Sequence, residues 1–75
     1  MFSQETFSNR VKMLRLSKKL NQKQLGETIG LSLQAVSDIE RGKRLTSIDK
    51  VVELASFFNV TTDYLLGLSD ELSNK

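Results

Sequence analysis

The side chains best suited to chemistry in this chain lie between residues 32 and 44. They combine hydrogen-bonding groups with cations: Ser32, Gln34, Ser37, Asp38, Arg41, Lys43 and Arg44. A carboxamide can donate and accept a hydrogen bond at once, and clustered cations can neutralise phosphates. The chain has no Cys and no His, the residues that most often serve as metal ligands and general bases. The pattern therefore indicates binding of a polyanion, with no enzymatic activity, metal or cofactor expected.

Two short predicted helices joined by a tight turn position these side chains. The first covers QKQLGETI, with Asn21 as its N-cap and Gln24 completing a capping box. Gly30 ends it, Ser32 caps LQAVSDIER, and Gly42 ends that second helix. Helices so close in sequence cross steeply, as in a helix-turn-helix. The small residue Gly26 permits the approach, and the angle is filled by Leu25, Ile29, Leu31, Val36 and Ile39.

The second helix has an outer face, off the predicted buried stripe of Val36 and Ile39, that includes Ala35 and is largely polar. This face is predicted to enter a DNA major groove. Gln34 can bond N6 and N7 of adenine together, whereas Ser37 discriminates poorly between bases. Leu33 either packs on a thymine methyl group or closes the turn as an ordinary hydrophobic residue. Asp38 either accepts from cytosine N4 or forms an ion pair with Arg41, three residues on. The predicted contacts to bases thus come from the leading turns of this helix.

Five further predictions concern the DNA backbone. Gln22 opens the first of the two helices, where free N–H groups favour a phosphate, although it could be a plain polar first-turn residue. Lys23 either adds a charge contact or is solvated. Arg41, Lys43 and Arg44 follow the second helix as a backbone clamp, or as cations that complement its C-terminus.

Three other helices complete the prediction of an all-α, compact five-helix domain. One covers residues 4–19, with an apolar stripe of Phe7, Val11 and Leu14. Another covers residues 48–58 and is capped by Thr46 or Ser47, with an apolar face of Val51, Val52, Leu54, Ala55 and Phe58. The last is TDYLL, capped by Thr61 and stopped by Gly67. We expect one domain over residues 1–68 and a frayed tail over residues 69–75.

Charge is distributed unevenly along the chain. Residues 1–44 hold nine Lys or Arg and four Asp or Glu, hence +5, whereas residues 45–75 hold two and five, hence −3. The positive half coincides with the predicted helix pair, which suits contact with a polyanion. The apolar runs are too short for a membrane span, and the N-terminal MFSQETFSNR is not a signal sequence. A cytoplasmic location, with no membrane partner, is the simplest expectation.

The full pattern resembles the Cro/repressor (Xre-type) helix-turn-helix family, which includes the lambdoid phage repressors. The resemblance runs through R-V-K-x-L-R, L-N-Q-K-Q-L-G, I-G-L-S-x-Q-A-V-S-x-I-E-R-G-K-R and V-x-x-L-A-x-F-F-N-V-x-x-D-Y-L-L, from about Arg10 to Gly67. It implies a lambda-repressor-like fold and a partly buried Arg15–Glu40 ion pair. The chain departs from the family where Lys19 replaces a frequent Gly, Thr46 a Pro and Arg41 an Asn.

The family resemblance also implies a transcriptional regulator, expected here to be a repressor that binds a palindromic operator in double-stranded DNA as a homodimer. Among Phe57, Tyr64, Leu65, Leu66 and Leu68, we expect Leu65 in the core and Leu66 and Leu68 at the dimer interface. No small-molecule ligand is expected. Alternatives are an antitoxin or restriction–modification controller of the same fold, or a protein–protein adaptor that has lost DNA binding.

Overall fold

A computed structural model describes residues 3–72, and this part of the chain folds into five helices without a strand. The helices are α1 (Gln4–Ser17), α2 (Gln22–Ile29), α3 (Leu33–Glu40), α4 (Ile48–Phe58) and α5 (Thr62–Leu65). The predicted all-α, five-helix class is confirmed. Within residues 3–72, no helix combines the length and the apolar character needed to cross a bilayer.

Each helix begins at a side-chain cap, which explains why the boundaries fall where they do. The cap side chains accept from a backbone N–H three residues on, and they belong to Ser3, Asn21, Ser32, Ser47 and Thr61. The predicted Asn21–Gln24 capping box is present, and Ser47 rather than Thr46 caps α4. Gly30 ends α2 in the left-handed region at φ 76°, as predicted.

One continuous core joins all five helices. Its buried members are Phe7, Val11, Leu25, Ile29, Val36, Ile39, Leu54, Ala55, Phe58 and Leu65. Two sequence predictions about burial are wrong. Val52, assigned to the inner face of α4, is 51% exposed, and Ala35, assigned to the outer face of α3, is buried. The buried stripe of α4 is therefore narrower than its run of apolar residues suggests. The buried stripe of α3 is wider than predicted, because it includes Ala35.

Helix α1 ends at Ser17, two residues before the predicted limit, because Lys19 takes the left-handed conformation at φ 59°. The amides of Lys19 and Leu20 donate to the carbonyls of Leu16 (3.0 Å) and Arg15 (3.2 Å), so a Schellman-type turn closes the helix. The family resemblance noted in the sequence implies a frequent Gly at the position of Lys19. A side chain with a Cβ atom is strained in this conformation.

We expect Lys19→Gly to raise the free energy of unfolding by about 0.5–1 kcal/mol, because relief of the left-handed strain exceeds the extra entropy of glycine in the unfolded chain. Thermal unfolding measures the effect. Asn59→Gly is the matched control, because Asn59 lies at φ 58° but asparagine tolerates this region. An equal gain in both variants, or none at Lys19, would contradict the strain argument.

The described part of the C-terminal tail packs back onto the domain, so the predicted fraying is not observed over residues 69–72. Arg10 donates to the carbonyl oxygens of Tyr64 and Ser69 and forms an ion pair with Asp70 at 2.8 Å. The amide of Thr61 donates to the carbonyl of Leu72 at 2.9 Å. Residues 73–75 lie outside the described part, and the domain limit at residue 68 stays a prediction.

Candidate nucleic-acid interface

Helices α2 and α3 cross closely because Gly26 faces the turn between them. A Cβ atom at this position would overlap the carbonyl oxygen of Leu31 and lie 3.3 Å from its carbonyl carbon. The amide of Leu31 donates to the carbonyl of Gly26 at 2.8 Å, which fixes the path of the turn. The predicted role of Gly26 is thereby confirmed. The close crossing commits one face of α3 to the core and leaves the other outside.

The end of α3 is anchored through Glu40 to two other helices. Arg15 of α1 donates from Nε to Oε2 of Glu40 at 2.6 Å and from a terminal nitrogen to Oε1 at 3.0 Å. Gln22 of α2 donates to Oε1 at 3.1 Å. The Arg15 and Glu40 side chains are only 9% and 2% exposed, so the predicted buried ion pair is confirmed. Glu40 therefore sets the orientation of α3 relative to α1 and α2.

The leading turn of α3 is open to solvent. Ser32, Leu33 and Gln34 are all exposed, whereas Ser37, one turn later, is half-buried. The hydroxyl oxygen of Ser32 accepts from the amide of Ala35 at 3.1 Å, which leaves its O–H free to donate. The Leu33 side chain is 52% exposed, which does not fit the alternative that it closes the turn as an ordinary hydrophobic residue. Of the side chains predicted to reach bases, Leu33 and Gln34 are therefore exposed in the leading turn, whereas Ser37 and Asp38 are partly buried one turn later.

Asp38 lies between two of the predicted contact residues. Its Oδ1 accepts from Nε2 of Gln34 at 2.9 Å and from a terminal nitrogen of Arg41 at 3.2 Å. The ion pair between Asp38 and Arg41, one of the two alternatives drawn from the sequence, is therefore present. The hydrogen bond to Gln34 was not predicted, although a spacing of four residues on a helix permits it.

A cationic loop follows α3 in a fixed conformation. Gly42 lies at φ 74°, and the amide of Lys43 donates to the carbonyl of Asp38 at 2.8 Å, which forms a Schellman turn. Arg41, Lys43 and Arg44 are exposed around this turn, and Lys23 is exposed at the start of α2. This arrangement can offer several cations to a phosphate backbone without burying any of them.

Two residues that position this surface were missed in the sequence. Nε2 of Gln4 donates to the carbonyl of Gly42 at 2.8 Å and ties the start of α1 to the cationic loop. Nζ of Lys50 donates to the carbonyl of Ile29 at 2.6 Å and so satisfies the end of α2. Both bonds join residues more than twenty positions apart, and no local pattern signals them.

Comparison with known proteins gives a family and a fold. The helix-turn-helix family model HTH_3 matches residues 11–65. The uncharacterized HTH-type transcriptional regulator YobD of Bacillus subtilis (strain 168) is 35% identical over 65 residues, which are 87% of this chain. The chain spans only 58% of the length of YobD. The family match thus includes the whole α2–α3 unit and all the buried core residues named above except Phe7.

Two solved structures share the fold. The restriction-modification controller protein C.AhdI from Aeromonas hydrophila has a TM-score of 0.74 at 31% identity, over 83% of this chain and 94% of that one. The P22 c2 repressor, solved in complex with a synthetic operator, has a TM-score of 0.76 at 28% identity, over 80% and 91% of the two chains. The chain therefore belongs to the Xre-type helix-turn-helix family of DNA-binding transcriptional regulators.

Proposed function

We propose that this protein is a sequence-specific repressor that places α3 in the major groove of a palindromic operator and blocks access to a promoter. The observation that carries the proposal is the exposed leading turn of α3, with Leu33 and Gln34 outward while the opposite face is held in the core. The P22 c2 repressor, which shares the fold, is bound to an operator in its structure. Gln34 supplies the donor–acceptor pair suited to adenine, and Leu33 supplies an apolar contact for a thymine methyl group.

Cations around α3 support a separate, sequence-independent contribution to binding. Lys23 is exposed at the start of α2, and Arg41, Lys43 and Arg44 are exposed after the end of α3. In this proposal they contact phosphates, which release condensed counterions and thereby gain affinity on any sequence. Gln22 and Ser32 add neutral donors at the starts of α2 and α3, although Gln22 also holds Glu40.

A homodimer is the proposed binding unit, because two-fold symmetry matches a palindrome and doubles the number of phosphate contacts. The proposed interface includes Leu66 and Leu68, and Leu68 is 48% exposed. Leu66 lines an apolar groove beside two α4 residues, Ile48 and Val52, which are 78% and 51% exposed. Tyr64 is left out of the proposed interface because its ring already contacts Arg10 of the same chain, whose guanidinium lies 4.0 Å from the ring centre.

Selection from random DNA duplexes tests the proposal directly. We expect the 75-residue chain to enrich a short palindrome with half-site centres about 34 Å apart. We assume four phosphate contacts per subunit, which makes about eight per dimer. The logarithm of the binding constant should then fall with the logarithm of salt concentration at a slope of about −7. No enriched sequence and no dependence on salt would instead favour a protein–protein adaptor, and would contradict the proposal.

Two variants serve as the controls for this experiment. Gln34→Ala should relax the preference at one base position and cost about 1–3 kcal/mol on the selected site. Lys43→Ala should weaken all sequences alike and reduce the magnitude of the salt slope by about 2, because a dimer of the variant loses two phosphate contacts. If both variants lose affinity equally on every sequence, the proposed division between base-reading and phosphate-binding residues is wrong.

A second candidate function is control of restriction–modification genes, and it is favoured by the likeness to C.AhdI. Both candidates use the same DNA-reading surface, so they differ in the genes that the operator governs rather than in chemistry. Mapping the selected palindrome onto its genome distinguishes them. A site upstream of genes for a DNA methyltransferase and an endonuclease would favour the controller over the repressor.

A further inference from the structure

Three side chains on the outer face of α3 form one chain of hydrogen bonds. Asp38 stands in the middle and accepts at the same oxygen from Gln34 (2.9 Å) and from Arg41 (3.2 Å). The spacings of four and three residues place all three on neighbouring turns of one helix face. The Asp38 side chain is 22% exposed and that of Arg41 is 53% exposed. The carboxylate is thus the more enclosed member of a surface network.

The contact with Asp38 restricts how Gln34 presents its carboxamide. A carboxamide has one oxygen that accepts and one nitrogen that carries two donor hydrogens. An ionised carboxylate only accepts, so the nitrogen of Gln34, and not its oxygen, must face Asp38. One N–H is then committed to Asp38. The remaining N–H and the oxygen are then left to contact a base as one donor and one acceptor. Asp38 fixes their order, that is, which side of the carboxamide carries the donor and which the acceptor.

This fixed order distinguishes the two purines. In the major groove adenine presents an acceptor at N7 and a donor at N6, whereas guanine presents acceptors at both N7 and O6. A side chain with one free donor and one free acceptor complements adenine. Against guanine its oxygen faces another acceptor, and the second N–H that could have replaced it is held by Asp38.

We propose that Asp38 is a positioning residue that makes Gln34 select adenine over guanine at one position of each operator half-site, without contacting a base itself. The inference rests on the proposed function, because it requires α3 to lie in the major groove. Arg41 makes the arrangement compatible with DNA, since its positive charge offsets the carboxylate that would otherwise be repelled by phosphates.

Asp38→Asn tests the inference with almost no change in shape. The asparagine side chain can donate as well as accept, so both orientations of the Gln34 carboxamide find a partner. In selection from random duplexes, we expect the preference for adenine over guanine at the Gln34 position to fall about tenfold. Binding to all sequences should strengthen modestly, because one negative charge is lost near the phosphates.

The same substitution in a Gln34→Ala background is the matched control. If Asp38 acts through Gln34, Asp38→Asn should leave every base preference of Gln34→Ala unchanged. A preference for cytosine that disappears with Asp38→Asn in this background would show direct reading by Asp38 and overturn the inference. If Asp38→Asn alone leaves the preference for adenine unchanged, the inference about Asp38 is overturned but the proposed function is not. If the wild-type chain enriches no sequence, the proposed function is overturned as well.

Discussion

Glu40→Ala is expected to lower the free energy of unfolding by about 3–5 kcal/mol, because it leaves the Arg15 guanidinium buried without a counter-charge. Arg15 would lose two hydrogen bonds and keep only the donation to the carbonyl of Leu20 at 2.7 Å. Gln22 would lose its acceptor at the same time. For a domain of this size, the expected loss corresponds to a fall in melting temperature of at least about 12 °C.

Chemical and thermal unfolding of purified variants measures this loss. Glu53→Ala is the matched control, because Glu53 forms an ion pair with Lys50 at 3.0 Å but is 48% exposed. We expect the control to cost less than about 1 kcal/mol. Replacing Arg15 and Glu40 together by Met and Leu should cost much less than Glu40→Ala alone, since no unpaired charge remains. Equal losses in Glu40→Ala and Glu53→Ala would show that burial of the pair is not what matters.

Local chemistry made most of the helix boundaries predictable. Asn21, Ser32 and Thr61 are caps that bond to residues three positions away, and Gly30 supplies a left-handed stop within the same stretch of chain. Such signals depend on a few neighbouring residues and can be read without knowing the fold. The end of α1 was predicted two residues too late because its stop signal is absent from the sequence. Lys19 adopts the left-handed conformation, which a lysine side chain does not indicate.

Burial was less predictable, because it depends on which helices meet. Val52 and Val51 are adjacent and equally apolar, yet Val51 packs against the core and Val52 is exposed. Ala35 is small enough to lie on either face of a helix, and its burial follows from the position of α3 in the fold. Periodicity locates an apolar stripe but does not fix its width.

The candidate site shows the same division between local and long-range information. The spacing of Asp38 and Arg41 along one helix suggested their ion pair, and the structure adds the hydrogen bond from Gln34 to Asp38. By contrast, the bonds from Gln4 to Gly42 and from Lys50 to Ile29 required the tertiary fold. The sequence therefore reveals the candidate DNA-contacting residues more readily than the residues that hold them in position.

Gly26→Ala is expected to lower the free energy of unfolding by about 2–3 kcal/mol, although helix propensity alone predicts the opposite sign. Alanine stabilises the interior of a helix by roughly 0.5–1 kcal/mol relative to glycine. At position 26, however, the added Cβ atom would overlap the carbonyl oxygen of Leu31 and lie 3.4 Å from that of Ser32. Both are backbone atoms that cannot rotate away, so the crossing of α2 and α3 must open, and overpacking of this kind is costly.

Thr28→Ala on the same helix isolates the contribution of propensity. Thr28 is exposed and its hydroxyl donates to the carbonyl of Gln24 within α2, so this change should alter the unfolding free energy by no more than about 0.5 kcal/mol. Because the proposed function requires the α2–α3 crossing to place Gln34 in the major groove, Gly26→Ala should also reduce discrimination between operator and random DNA at temperatures where the variant is folded. A stabilised Gly26→Ala variant with full discrimination would mean that the turn at Leu31 accommodates a side chain, and that the close approach of the two helices does not depend on glycine.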